Sequence, residues 1–413
     1  MKRICLLYMC SVALAFVLMS RCGAAEVCIE ISAGDIDRAD VPVYFSLDDT
    51  MASAASFELK SAESGELIPV QLESRPEKRI CWMLEKPLSA GQTRKYVLQT
   101  AGASDSVQDE APKVAIDRTD EAITIRVGEK PVLTYHIAVV QPPAEADPCY
   151  ARSGFIHPLY TPSGKVLTQD FPADHWHQHG VFFAWVHTTF KGREVDFWNQ
   201  GKKIGNVTHV DVLNTESGDV FAKMVVRLSH VALDEDGNSE PVLDEIWAVK
   251  VYRRAGDDFL MDFTSVQRAA TDEPLTLNEY HYGGMGFRGN SSWLHDPKSD
   301  FLTSEGKSRN DGNHTRPTWV DAFGPFDDAM AGVTIMDSPE NFRYPQPVRL
   351  HPEKPYFCFA PMVEGEFEIN RTSPCVSNYR LNPHDGTVDA KKADLLQKDF
   401  AQPMKAKVVP EVQ

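Results

Sequence analysis

Apolar and polar residues alternate at a period of two along most of this chain, and almost nowhere at the 3.6-residue period of a helix. Val27, Ile29 and Ile31 alternate, and short runs follow at Val41–Ser46, Phe57–Lys60, Leu67–Leu72, Arg79–Leu84 and Tyr96–Leu98. Turn residues separate them, which predicts a small antiparallel β-sandwich over residues 26–105. Residues 101–112 are small, polar and acidic and read as a linker. From Val114 the strands resume: Ile123–Val127, Val132–Val140, Thr208–Asn214, Val220–Leu228, Ile246–Tyr252 and Phe259–Val266. So many strands without helices predict an all-β fold, a large antiparallel double-sheet structure over residues 113–405. One helix is predicted at the end, over Val388 to Phe400, with Thr387 as its N-cap.

The chain has 413 residues, which suits this two-domain reading. Its net charge of −17 repels phosphate backbones and argues against nucleic acid as a partner. No phosphate-binding glycine loop appears. The first residues bear on location: Lys2 and Arg3, an apolar run from Ile4 to Met19, then Gly23, Ala24 and Ala25. That is the order of a secretory signal peptide over residues 1–25. Arg21 stands before Cys22, where a lipidated cysteine calls for a small residue, so cleavage is expected rather than lipidation. No other stretch is long and apolar enough to span a bilayer. Beyond the signal five cysteines remain, and Cys28 with Cys81, both in the first domain, is the expected disulfide, with Cys149 a thiol.

The densest candidate chemistry lies between Ile156 and Asn199. Asp174, His175, Trp176, His177, Gln178, His179 and Gly180 stand in succession before the apolar run Val181–Val186. In an extended chain His175, His177 and His179 share a face at steps of roughly 6.7 Å, with a bend available at Gly180. A second polar region, residues 278–321, holds His281, the glycines Gly283, Gly284 and Gly286, Arg288, Glu305, Lys307, Arg316 and Asp321. A third begins where an apolar strand meets Asp337, with Asn341 and Arg343 beyond it.

Together these regions resemble a known family. The stretch H-P-L-Y-T-P-S-G-K-V-L-T-Q-D-F-P-A-D-H-W-H-Q-H-G, then G-G-M-G-F-R, S-E-G-K, T-W-V-D and G-V-T-I-M-D-S-P-E-N-F-R-Y-P, is similar to a bacterial exported family labelled "methane oxygenase PmoA", over about residues 114–400. The resemblance implies site positions at Asp174, His175, His177, Gly180, Arg288, Glu305, Lys307, Arg316, Asp321, Asp337, Asn341 and Arg343. Trp176, Gln178, His281, Tyr282 and Ser338 depart from the family's usual residues. Methane oxidation by membrane subunits needs spanning helices, so the label is not read as an activity. The layout looks more like the galactose-mutarotase type of supersandwich, whose members handle sugars.

The expectation is an exported enzyme acting on a carbohydrate or its derivative. His175 or His177 is the expected acid–base group, because an imidazole titrates near neutral pH, and Glu305 the partner carboxylate. Trp176, His179, His281, Arg288, Lys307, Arg316, Asp321, Asp337, Asn341 and Arg343 are the expected substrate-binding set. One concave pocket should hold His177, Glu305, Arg316 and either Arg288 or Asp337. No cofactor motif is evident. Two alternatives stand beside this: a divalent-metal enzyme using Asp174, His175 and His177, and a non-catalytic glycan-binding protein. The charged–apolar–small order predicts cleavage near Ala24 or Ala25; N-terminal sequencing of the secreted form should find a mature chain starting there, and a chain starting at Met1 would sink the idea.

Overall fold

The computed structural model describes residues 26–49, 51–74, 77–101, 113–256 and 258–410. The expected signal segment with Cys22, and the expected linker apart from Ala101, lie outside the described residues.

The large unit is built on two eight-stranded sheets in which every neighbouring pair is antiparallel. The first runs from Val348–Leu350 through Tyr356–Phe359, Gly284–Arg288, Val181–Ala184, Ile156–Leu159, Lys130–His136 and Ala122–Val127 to Val114–Arg118. The second runs from Gly205–Glu216 through Phe221–Leu233, Ser239–Arg253, Phe259–Ala269, Cys375–Asp385, Ala329–Asp337 and Trp319–Phe326 to Asp300–Thr303. Strands of the second sheet alternate buried and half-exposed residues, as in Phe259–Ala269, because one face meets the first sheet. Aromatic rings bridge the gap: Phe359 of the first sheet stacks on Tyr379 of the second at 4.9 Å between centroids. Val181–Ala184 is buried on both faces, so it reads as an unbroken apolar run instead of an alternating one. The double-sheet fold expected from the alternation is the fold observed.

The small unit also pairs two sheets. One orders Lys405–Val409, Glu26–Ser32, Thr93–Ala101, Ser56–Ser61 and Leu67–Ile68; the other orders Pro42–Ser46, Arg79–Met83 and Gln71–Glu73. Its edge strand comes from the C-terminus, so the unit expected at 26–105 is completed by residues 405–409. The one α-helix among the described residues, Ala390–Ala401, precedes that strand. Its N-cap is Asp389, not Thr387: the Asp389 carboxylate accepts from the amides of Lys391 and Lys392. That helix is not long and apolar enough to cross a membrane. The expected Cys28–Cys81 disulfide is not formed. Cys28 lies in the five-stranded sheet and Cys81 in the three-stranded one, each buried as a thiol, and burial pushes the Cys81 thiol up to about 12.

The small unit is docked on the outer face of the second sheet by buried charge. Glu73 receives Lys223 Nζ and Lys250 Nζ, each at 2.7 Å, and Arg79 Nε at 2.8 Å. Tyr44 and Tyr252 share a hydrogen bond at 2.5 Å, and Asp399 of the helix joins Arg38 at 2.6 Å to Arg380 at 2.9 Å. Burial alone would raise the Glu73 carboxyl; Lys250, Lys223 and Arg79 outweigh it and hold it at about 2, against an ordinary 4.5. Because the folded value is depressed, this stabilisation is complete above the unfolded value and is lost as pH falls through the folded one. Glu73→Gln should therefore cost about 3 kcal/mol at neutral pH, because the buried carboxylate that the surrounding cations favour is removed. Urea unfolding from pH 7 down to pH 2 checks this: the wild type should lose stability below about 4.5 and the variant should lose less over the same range.

Candidate functional site

The segment Asp170 to Gly180 is not extended. His175 N bonds to Pro172 O and Gln178 N to His175 O, so two successive turns carry the histidines. The alternation expected for His175, His177 and His179 is thus replaced by a folded loop, and His179 parts company with the other two. It is fully buried, with Nδ1 2.6 Å from Asp170 Oδ1 and Nε2 3.0 Å from Gln200 Oε1. The Gln200 amide nitrogen faces the carbonyls of Tyr150 and Ala151, so its oxygen faces the ring, Nε2 carries hydrogen, and Nδ1 shares a proton with Asp170. His179 pins the loop's end and is not presented to a substrate. Gly180 turns the chain into the strand at φ +52°, where a Cβ would collide with the carbonyl oxygen of Ile156.

Arg288 pins the loop's start. It is buried on the strand Gly284–Arg288 and spends its fork on Asp174, with Nη2–Oδ1 at 2.7 Å and Nη1–Oδ2 at 3.0 Å; Nη1 also reaches Gln178 Oε1 at 2.9 Å. Burial raises the Asp174 carboxyl, but His175 and Arg288 prevail and hold it well below the usual carboxylate range. Arg288 is therefore a positioning residue, not the substrate fork expected from the sequence. With both Asp174 oxygens on Arg288, the expected metal set of Asp174, His175 and His177 is not assembled.

So held, the loop forms one wall of a cleft of about 210 Å³ on the outer face of the first sheet. Phe287 and Phe357 turn toward the second sheet; Gly286, Arg288 and Tyr356, one residue out of phase, turn away from it. His175, His177 and Gln178 line one side, and Arg349, His351 and Tyr356 line another. Trp198, Asn199, His281 and Tyr282 complete the lining, with the Asn199 amide bonded to the Tyr282 hydroxyl at 3.0 Å. Gly286 makes room for Trp198: a Cβ there would stand 2.9 Å from the indole.

The imidazoles are individually oriented. His175 Nδ1 stands 2.9 Å from Lys354 Nζ and 3.1 Å from Asp174 Oδ2, and the same ammonium stands 3.5 Å from Nε2 and 3.5 Å from Asp174 Oδ2. His351 Nδ1 accepts the amides of Glu353 and Lys354 at 3.1 and 3.2 Å, so it offers Nε2–H. His177 lies 5.3 Å from His175 between centroids and makes no hydrogen bond to any described residue. Burial first, then the charge of His175, His179, Arg152 and Arg288, hold His177 at about 3. His351 is held at about 4 by burial, Arg349 and Lys354. That direction runs against the expectation that His177 titrates near neutrality.

Residues 122–397, more than half of the chain, match DUF6807, a family of unknown function. The chain belongs to that family. Every residue lining the cleft falls within the DUF6807 stretch, whereas the small unit's strands from Glu26 to Ala101 fall outside it. No curated protein matches the chain. Among solved structures it is similar to a protein in the glycosyl hydrolase family 38 from Enterococcus faecalis, at 10% identity and a TM-score of 0.45, over 94% of this chain and 47% of that one. It is also similar to a heparan sulfate lyase from Pedobacter heparinus, at 12% identity and 0.37, over 70% and 39%. The chain thus spans less than half of either solved chain.

The remaining expected site residues of this DUF6807 chain lie elsewhere, and the single pocket expected for them does not form. Glu305 is exposed on a turn, paired with Lys307 at 3.0 Å. Arg316 holds the carbonyls of Pro345 and Arg343 and the Glu364 carboxylate. Arg343 holds those of Pro361 and Gly365. Both arginines clamp loop backbone that would otherwise lack donors. Asp337 is buried, accepting from Asn341 at 2.7 Å and from the Gln346 amide at 2.7 Å, and Asp321 accepts from Thr334 and His384 inside the second sheet. Trp176 is half-buried and outside the cleft lining, while His281 lines it as expected.

The sequence reading missed Trp198, Asn199, Arg349, His351, Lys354 and Tyr356. The run Arg349-Leu-His-Pro-Glu-Lys-Pro-Tyr356 carries a detectable signal, since Arg349 and His351 stand two apart at a strand end. His177 and His351 should show no titration midpoint between about pH 5 and 8 in ring-proton NMR, against about 6.5 for a free imidazole. The neutral rings stabilise the fold above that free value, and the contribution is lost as pH falls through about 4 and then about 3. A midpoint near 6.5 for either ring would contradict this cleft.

Proposed function

We propose that this protein is an exported enzyme that moves protons on a carbohydrate or carbohydrate derivative held in this cleft. The observation that carries the reading is the side-by-side pair of His175 and His177, 5.3 Å apart, the first held by Asp174 and Lys354 and the second with both ring nitrogens unclaimed by described residues. Such a pair supplies a donor and an acceptor to neighbouring atoms of one small ligand. Trp198, Tyr282 and Tyr356 add aromatic surface, and Asn199, Gln178 and Arg349 add side-chain polar groups, a mixture suited to a hydroxyl-rich ring. The cleft volume of about 210 Å³ suits a unit the size of one sugar ring. No acidic side chain among the described residues lines the cleft, so the reading rests on imidazole and not on a pair of carboxylates flanking a glycosidic bond. The order of Lys2, Arg3, the apolar run and Ala24-Ala25 supports export.

His177→Ala should lower turnover by at least about a hundredfold, the usual worth of a positioned acid–base group. Stability should stay within about 1 kcal/mol of wild type, because His177 bonds to no described residue. A turnover screen of the wild type and the variant on mixtures of mono- and oligosaccharides, with thermal unfolding alongside, checks both. Saturable sugar binding without any product from the wild type would replace this reading with a non-catalytic glycan-binding protein.

A further inference from the structure

Among the described residues, no acidic side chain lines the cleft. The nearest carboxylate, Asp174, is neutralised by the fork of Arg288, and Asp196, behind Asn199, is held by backbone amides and by Lys202 at 2.9 Å. What remains facing the cleft is a set of donors. Arg349 gives one N–H to Asn313 Oδ1 at 3.2 Å and has no carboxylate partner among the described residues. His351 has Nδ1 occupied by the amides of Glu353 and Lys354 and offers Nε2–H. An unpaired guanidinium and a fixed imidazole N–H thus share one small volume.

We propose that the ligand of this cleft is an anionic carbohydrate, a sugar acid whose carboxylate is received by Arg349 with His351 beside it. The inference rests on the carbohydrate reading above and deepens it. A guanidinium presents two parallel N–H groups that match the two oxygens of a carboxylate, and the neighbouring imidazole N–H adds a third donor. The electrostatics agree: Arg349 and Lys354, after burial, keep His351 neutral, so a bound anion reverses that influence and favours its protonated form. The bound anion also opposes the positive neighbours that weaken His177 as a base, so substrate itself completes the acid–base pair.

Calorimetric titration of the full chain with D-glucuronate, D-galacturonate, D-glucose and D-galactose tests this. The two acids should bind at least about tenfold more tightly than their neutral counterparts, as a charge-assisted pair implies. Arg349→Gln should bring the acids to the neutral sugars' affinity, and Arg349→Lys should keep part of the preference, with unchanged thermal unfolding showing that each variant is folded. Ring-proton NMR should show His351 titrating at higher pH with an acid bound. Equal affinity for acids and neutral sugars, or a preference that survives in a folded Arg349→Gln, overturns the anionic assignment and leaves the carbohydrate reading standing. If none of the four sugars binds, both readings fall together.

Discussion

The cleft depends on one buried ion pair, Arg288 with Asp174. Arg288 is fixed from three directions: its amide donates to Gly180 O at 2.7 Å, its carbonyl accepts from Gln169 N at 3.1 Å, and its fork closes on Asp174. Both ends of the histidine loop are therefore referred to one residue on a central strand of the first sheet. A guanidinium fully removed from water must be paired, since an unpaired buried charge costs several kcal/mol. That requirement sets the register of the loop: only with Asp174 over Arg288 is the cation satisfied, and that placement brings His175 and His177 together at the cleft wall. The Asp170–His179 pair secures the far end by the same logic.

The two sheets divide the labour between stability and the site. Each has an inner face given to the common aromatic core and an outer face left over. The outer face of the second sheet is closed by the small unit, through Glu73, its two lysines and the Tyr44–Tyr252 contact. The outer face of the first sheet carries the loops that hold the cleft. Charge buried for docking and charge buried for the site thus lie on opposite sides of the sandwich, and neither network has to meet the geometry of the other. The C-terminal helix and strand return to the small unit, so the first and last described strands lie together on the docking side.

The fold was legible because alternating runs such as Ile246–Tyr252 and Phe259–Val266, which lie within the strands Ser239–Arg253 and Phe259–Ala269, have few solutions other than antiparallel strands. The position of the site was legible in the density of histidines before Val181. Its membership was not. Polar side chains cluster in sequence both where they meet a ligand and where they satisfy buried backbone, and Arg316 and Arg343 belong to the second kind. Sequence spacing does not reveal which carbonyls a loop leaves without donors. The opposite error befell Arg349 and His351, which contribute to the cleft from an edge strand of three residues with no histidine-rich neighbourhood to mark them. The cysteines failed for a related reason: Cys28 and Cys81 share a domain, but sharing a domain does not place two strands in one sheet or bring their Cβ atoms within bonding reach.

The chemistry of the cleft follows from where charge has been placed. Full charges sit one layer back: Asp174 and Arg288 beneath the loop, Lys354 behind His175, Asp170 behind His179. The groups that face the cleft, apart from Arg349, are neutral rings and amides. A charged lining would bind water strongly, and a ligand would have to displace it; a neutral lining oriented by charges behind it offers donors and acceptors at less desolvation cost. The same arrangement fixes which nitrogen of His351 carries hydrogen, because the Glu353 and Lys354 amides claim the other. His177 has no such partner, and its ring is the one whose proton is left for a ligand to decide.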